Sequence, residues 1–237
     1  MKKEILKNGT AIMTSSGFRV DSDGPLLASF IEYTGRKRLL DLCTGNGIIP
    51  VWLRDRGFEG EIVAVDIQPQ AVGLLETAIK LNHMENISAV RGDLRDYTSP
   101  VKFDLISCNP PYYDINASPA SPDETRRISR SSACASVSDA AISASRNLGP
   151  RGRFYCCFPP SGMERLFSAL SAASLHPRRI RFARHTEQSP PWLLLIEAGL
   201  TGKDSLVVMP DLIAVNNGVR NAEFDEIFSM GVCDAGE

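Results

Sequence analysis

Asn109, Pro110, Pro111 and Tyr112 stand in a row directly after the apolar run Asp104-Leu105-Ile106-Ser107-Cys108, and this row is where the sequence can do chemistry. Two prolines fix φ and remove two N–H donors, and a residue followed by proline is confined to extended backbone. Asn109 can then present its side-chain oxygen, and Pro110 its carbonyl, as two acceptors converging on one amino group. An amino nitrogen conjugated to a ring is a poor nucleophile because its lone pair is delocalised. Two acceptors hold it while that lone pair turns toward an electrophile, so positioning supplies most of the rate. Tyr112 offers a flat face for an unstacked base, a contact worth on the order of 1–3 kcal/mol. Tyr113 has no assigned role, and the chemistry needs no metal.

The electrophile needs a seat. The run Leu39-Leu40-Asp41-Leu42 leads into Cys43-Thr44-Gly45-Asn46-Gly47-Ile48-Ile49-Pro50, a glycine-rich turn that opens a helix. Glycines at 45 and 47 permit positive φ and close approach of backbone to a ligand, so a nucleoside cofactor fits the crevice at the strand ends. Asp66 ends the next apolar run, where a carboxylate accepts both ribose hydroxyls; the plainer alternative is a helix N-cap. Asp41 likewise either meets the ligand or holds the turn. A dinucleotide fingerprint asks for a third small residue, but position 50 is Pro, which leaves a nicotinamide cofactor as the weaker reading.

The elements that position these residues alternate. Apolar or β-branched runs at Arg38 to Leu42, Glu61 to Val65, Ile87 to Val90 and Phe103 to Ser107 are separated by helix-like stretches at Ile48 to Arg56 and Gln68 to Asn82. Further strands are expected at Arg153 to Phe158, Arg179 to Ala183 and Leu193 to Ala198. A repeating βα pattern implies a doubly wound, mostly parallel α/β sheet. Asp23 is expected to cap a helix through Pro25 to Tyr33. The chain divides into an N-terminal segment and helix (1–35), the ligand-binding core (36–200) and a C-terminal strand and tail (201–237). The Ser- and Ala-rich window from Ala117 to Ser145 suggests a mobile loop, and the tail beyond Leu206 to Met209 looks poorly specified.

Composition sets the outer bounds. A chain of 237 residues that is 43% hydrophobic can bury one good core. The longest apolar run, Trp192 to Ile196, cannot span a bilayer, and Met1-Lys2-Lys3-Glu4 opens no secretory signal, so a soluble, cytoplasmic protein is expected. Six cysteines without a Cys-x-x-Cys pair read as reduced thiols rather than a zinc site or a disulfide framework. A net charge of −2 argues against nucleic-acid binding by bulk positive charge, yet the cations cluster: Arg126, Arg127 and Arg130 in one place, and Arg178, Arg179, Arg181, Arg184 and His185 in another.

The order Asp41, Gly45, Gly47, Asp66 resembles the cofactor motif of class I S-adenosylmethionine methyltransferases, in which the acid before the glycines lies near the methionine part. That resemblance implies S-adenosylmethionine as cofactor and a place for Asp93, in Arg91-Gly92-Asp93-Leu94, against the cofactor's adenine amino group; capping the short helix after Gly92 is its other role. Asn109 to Tyr112 resembles the Asn-Pro-Pro-Tyr motif of amino-methyltransferases that act on adenine N6 in DNA and RNA, guanine N2 in RNA, or a release-factor glutamine. It implies that Asn109 and Pro110 bind the target amino group at the cofactor's methyl and that Tyr112 stacks on the base. Length, together with Phe18-Arg19-Val20-Asp21-Ser22-Asp23-Gly24-Pro25-Leu26-Leu27, Gly152-Arg153-Phe154 and the Arg181 to His185 run, is most similar to the bacterial tRNA(Val) adenine-N6 methyltransferases. The group's Ala-Arg-His-Glu after the catalytic loop is absent, since Arg130 is followed by Ser131-Ser132. RNA, with tRNA foremost, is then the implied partner, and Arg126, Arg127 and Arg130 contact its phosphates. A glutamine or guanine-N2 acceptor and a non-catalytic RNA-binding shell are the rival readings.

Overall fold

The computed structural model describes residues 1–111, 135–202 and 206–229. A hairpin of β1 (Lys2–Ile5) and β2 (Ala11–Thr14) leads to helix α1 (Asp23–Phe30). A βα series follows: β3 (Arg38–Leu42), α2 (Ile48–Asp55), β4 (Glu61–Asp66), α3 (Pro69–Leu81), β5 (Ile87–Arg91) and β6 (Phe103–Cys108). After α4 (Val137–Asn147) come β7 (Leu148–Phe158), α5 (Met163–Ala172), β8 (His176–Arg184) and β9 (Leu193–Gly199). The tail adds β10 (Val207–Val208), β11 (Leu212–Ile213), the small hairpin β12 (Val215–Asn216) with β13 (Val219–Arg220), and α6 (Ala222–Phe228).

The main sheet runs β10-β8-β9-β7-β6-β3-β4-β5, with β11 continuing beside β8. Every pairing in it is parallel except those of β9, which runs antiparallel between β7 and β8. Such a sheet is covered on both faces, so its central strands are apolar throughout rather than alternating. Leu39, Ile62, Leu105 and Leu195 pack with α1, α2 and α3 on one face. Leu40, Leu42, Ile106 and Ile196 pack with α4 and α5 on the other. Strand order reverses beside β3, because β4 and β5 build outward on one side and β6 and β7 on the other. The crevice at that reversal, outside the strands' carboxyl ends, is where such sheets take ligands.

Two local expectations are corrected, and a third falls largely outside the described residues. Ser22, not Asp23, holds the N-cap position of α1, and the backbone before it is tied by Asp21 Oδ1, which accepts from the Gly24 N–H at 3.2 Å. The Ser/Ala-rich window lies outside the described residues up to position 134, and its remaining part enters helix α4, begun by a reciprocal capping box between Ser136 and Asp139. Its Ala140, Ala141 and Ala144 are buried, and their small size lets the helix lie close on the sheet. The described tail, residues 206–229, is built rather than loose. The Trp52 indole N–H donates to the Ile227 carbonyl at 3.2 Å, Arg56 donates to the Glu226 carbonyl at 3.0 Å, and Arg181 pairs with Glu223, which together fasten α6 against α2 and β8. No helix among the described residues is long and apolar enough to cross a membrane.

Candidate active site

The turn after β3 is held by its neighbours. The Thr44 N–H donates to the Val65 carbonyl at 3.1 Å, and the Gly47 N–H to the Thr44 carbonyl at 2.9 Å. Three of its residues have positive φ: Cys43 at 57°, Gly45 at 57° and Gly47 at 82°. For the glycines this is unstrained, whereas for Cys43 the left-handed conformation costs roughly 1–2 kcal/mol that the surrounding bonds must offset. Asp66 clasps the turn from the next strand: Oδ2 accepts from the Gly45 N–H and Oδ1 from the Gln68 N–H, both at 2.9 Å. Burial pushes the Asp66 pKa up, partly opposed by these backbone donors. Each carboxylate oxygen keeps a further lone pair for a ligand hydroxyl.

Above this turn lies a cleft of about 420 Å³. Phe18, Arg19, Asp21 and Asp23 of the segment entering α1 form one wall, and Gly45, Asn46, Asp66 and Ile67 the floor. Asp93 and Leu94 flank it on the β5 side, and Asn109, Pro110 and Pro111 close the β6 side. Four carboxylates against one guanidinium make the described lining net negative, although burial and the nearby Asp21 charge raise the Asp23 pKa to about 6. A cationic sulfonium ligand is favoured there, and a pyrophosphate is opposed. Ile67 is 44% exposed, an apolar side chain left open beside the Asp66 carboxylate as a base-plus-ribose ligand requires. Asn46 Nδ2, in a residue lining the cleft, is buried without a hydrogen-bond partner, and the buried Thr44 Oγ1 has only the nearby Asp41 carboxyl beside it. An orphaned polar atom of this kind calls for a ligand. S-adenosylmethionine fits this set of groups. Among the described residues no cluster of His, Cys, Asp or Glu is arranged to hold a metal.

Gly45, Asp66, Asp93, Asn109 and Pro110 thus meet around one cleft, while two of the expected cofactor residues stand behind it. Asp41 is fully buried and does not line the cleft; the Ser107 hydroxyl donates to its Oδ1 at 2.6 Å, which bolts β3 to β6 under the turn. Asp41 Oδ2 has no partner, and burial raises the Asp41 pKa to about 7 even though the Ser107 and Thr44 hydroxyls lie close enough to lower it. Holding the turn, the alternative role, is therefore what its position supports. Gly47 also lies outside the lining, and a Cβ on it would come within 2.5 Å of Leu75 Cδ1, so it is small to seat α2 against α3. Asp93 lines the cleft but is chelated by Arg95, with three side-chain bonds of 2.5 to 3.0 Å that hold its carboxyl below the usual range. Tyr112, Tyr113, Arg126, Arg127 and Arg130 lie outside the described residues.

Several residues at the site were not anticipated. Cys157, on β7 and fully buried, donates its thiol to Asn109 Oδ1 at 3.2 Å. This bond helps to orient the amide at the edge of the cleft. Phe18 reaches the turn from the N-terminal segment, close enough that a Cβ on Gly45 would touch its ring at 3.9 Å. Ile67 carried one local signal, an apolar residue directly after the acid that ends β4; Cys157 carried none, because it lies 48 positions from Asn109.

Comparison with known proteins agrees with this geometry. Residues 11–128 match the family model described as the methyltransferase small domain. A tRNA1(Val) (adenine(37)-N6)-methyltransferase of Bacteroides thetaiotaomicron is 30% identical over 163 residues, 68% of each chain. The enzyme of the same name from Tolumonas auensis is 30% identical over 181 residues, 75% of each chain. Among solved structures, a predicted O-methyltransferase from Agrobacterium tumefaciens superposes with a TM-score of 0.69 at 15% identity, covering 86% of this chain and 94% of its own, a likeness of fold. The chain belongs to the class I S-adenosylmethionine-dependent methyltransferases that carry the methyltransferase small domain, in the tRNA1(Val) adenine-N6 family.

Proposed function

We propose that this enzyme methylates the exocyclic N6 amino group of an adenine in RNA, with tRNA as the substrate. The single observation that carries the reading is that Asn109, its amide oriented by Cys157, opens onto the same cleft as Asp66 and the Gly45 turn. Asp66 takes the ribose hydroxyls of the cofactor, Ile67 supports its base, and Thr44 and Asn46 satisfy polar atoms of its methionine part. Bound there, S-adenosylmethionine supplies a methyl group on a positively charged sulfur. Asn109 Oδ1 and the Pro110 carbonyl each accept one N–H of the target amino group, which fixes the nitrogen and turns its lone pair toward that methyl. The cofactor would supply the methyl as an electrophile and would take the bonding electrons onto its sulfur, while the nitrogen held by Asn109 and Pro110 would give its surplus proton to solvent. Tyr112 stacks on the extruded base, and Arg126, Arg127 and Arg130 take flanking phosphates. The resemblance of the Asn109 to Tyr112 motif and the names of the relatives support adenine N6 and tRNA.

The test is transfer of tritiated methyl from S-adenosylmethionine to total bacterial tRNA, ribosomal RNA and release factor in parallel, with nucleoside mass spectrometry of labelled RNA. Label in tRNA as N6-methyladenosine is expected. Label only in protein, or as N2-methylguanosine, overturns the acceptor and leaves the fold and cofactor intact.

A further inference from the structure

The second arginine cluster divides on inspection. Arg181 is closed off by Glu223 and by the Pro210 carbonyl at 3.0 Å, and Arg184 by Asp211 and the Ser189 carbonyl at 2.7 Å. These two staple the tail. Arg178 and Arg179 instead face an open cavity of about 600 Å³, together with Arg36, Arg153, Glu32 and Glu197. It lies beyond the last turn of α1, whereas the cofactor cleft lies at the first. An eight-residue helix separates the two by roughly 12 Å at 1.5 Å per residue.

Charge within this cavity does not balance. Glu197 is 5% exposed and is met by three guanidinium groups: Arg179 Nε at 2.7 Å, Arg153 Nε at 3.1 Å and Arg178 Nε at 3.7 Å. Arg36 and Arg178 each spend a further donor on a neutral carbonyl, of Arg151 at 3.2 Å and Thr201 at 2.7 Å. Glu32, which also pairs with Arg179, has a side chain 72% exposed and so screens weakly. Four cations thus stand against two carboxylates, a surplus of two positive charges among the described residues. Arg179 Nη2 is moreover buried with no hydrogen-bond partner, a forked donor without an acceptor. Burial first, then the adjacent Arg178 charge, weakens proton binding at Arg153 against the pull of Glu197, whereas Glu197 and Glu32 outweigh burial at Arg179. A phosphate meets each of these deficits: it carries one to two negative charges and presents oxygens that guanidinium forks bind two at a time.

We propose that the cavity ringed by Arg36, Arg153, Arg178 and Arg179 is a second binding site, separate from the cofactor cleft, for a phosphate group. The phosphate belongs either to the backbone of a bound RNA or to a free phosphoanion, and the two sources are separable.

The experiment uses the full chain and the variants Arg36→Gln and Arg178→Gln, both at partly exposed positions outside the cofactor and acceptor groups. Thermal melts are run in inorganic phosphate and in chloride at matched ionic strength, and binding of total bacterial tRNA is followed by fluorescence anisotropy across a salt series. Phosphate is expected to raise the wild-type Tm saturably by about 5–10 °C, and each variant to lose at least half of that rise. A fall in tRNA affinity with a salt slope shallower by about 0.7 to 0.9 identifies the source as RNA backbone, whereas unchanged tRNA binding beside the lost phosphate response identifies a free phosphoanion. Superimposable melts in the two salts together with wild-type tRNA binding in both variants overturn the site. The melts do not depend on which base is methylated, so failure of the acceptor assignment and failure of this site are told apart.

Discussion

Replacing Asp66 with Ala removes two functions from one side chain. One oxygen holds the Gly45 N–H of the glycine turn and the other the Gln68 N–H before α3, both at 2.9 Å, and the same oxygens are the acceptors proposed for the cofactor ribose. Each hydroxyl bond to a buried carboxylate contributes about 1–2 kcal/mol net, because the partner was hydrated before binding. The two together make about 2–4 kcal/mol, which corresponds to a 30- to 700-fold rise in Kd at 1.4 kcal/mol per tenfold. The loss of the Gly45 and Gln68 bonds adds a stability cost that is moderated by relief of burying the charge, since desolvation works against the ionised Asp66 in the folded state. Asp66→Asn, which keeps the volume and one acceptor oxygen, should lose about half as much affinity. Isothermal titration with S-adenosylmethionine and S-adenosylhomocysteine reads the first quantity, and a thermal melt without ligand reads the second. If folded Asp66→Ala bound the cofactor within twofold of wild type, the ribose assignment would fail, and with it the reading of the cleft as a nucleoside seat.

Asn109→Ala should keep cofactor affinity and lose about 10²- to 10³-fold in kcat, by comparison with removal of one aligned polar group at a reacting centre; a loss of cofactor binding instead would move Asn109 to the other ligand. Cys157→Ala removes one bond to the Asn109 amide and should lower kcat several-fold with little change in Kd for cofactor, and an unchanged kcat would remove Cys157 from the site. For Asp41 the folded pKa of about 7 stands above its unfolded value near 3.8, so the folded state binds the proton more tightly and stability falls as pH rises between these values. Asp41→Asn should remove that fall while keeping the Ser107 bond, so urea melts at pH 5 and pH 8 should show the variant gaining on wild type by a few kcal/mol at most; a variant that holds level with or loses ground to wild type as pH rises contradicts the assignment. Gly47→Ala combines left-handed strain with the clash on Leu75, about 2–5 kcal/mol in sum, and should lower Tm by about 4–20 °C; a melt within 2 °C of wild type, roughly the assay's own scatter, rules this packing out.

The central βα series was legible because each strand is an apolar run bounded by punctuation, and the structure moves its ends by a residue or so, as from Val65 to Asp66 and from Ser107 to Cys108. The site residues that sit at strand ends, Asp66, Asp93 and Asn109, were legible for the same reason: position along a strand is local information. What stayed hidden depends on partners far away in sequence. Asp41 and Gly47 belong to the same turn as Gly45, but only the Ser107 hydroxyl and the Leu75 side chain determine that they face inward. The Cys157 contact, the β1–β2 hairpin held by reciprocal bonds between Asn82 and Ala11, and the tail fastened through Trp52 and Arg181 are likewise products of tertiary packing.

The pairing of β3 with β6 has a consequence for how activity is acquired. Gly45, Asp66 and Asp93 all follow strands β3 to β5, a stretch whose contacts close short loops and can form early. Asn109 comes with β6, which must return across the intervening helices and strands to lie beside β3, bringing Asp41 and Ser107 together over 66 positions. Closing that span loses chain entropy before any contact repays it, so it belongs to the slow part of assembly. A chain arrested before this event owns the donors and acceptors for the methyl source but nothing to hold the methyl acceptor. Recovery of turnover during refolding is therefore expected to track the most non-local pairing of the sheet and to lag behind recovery of helical signal.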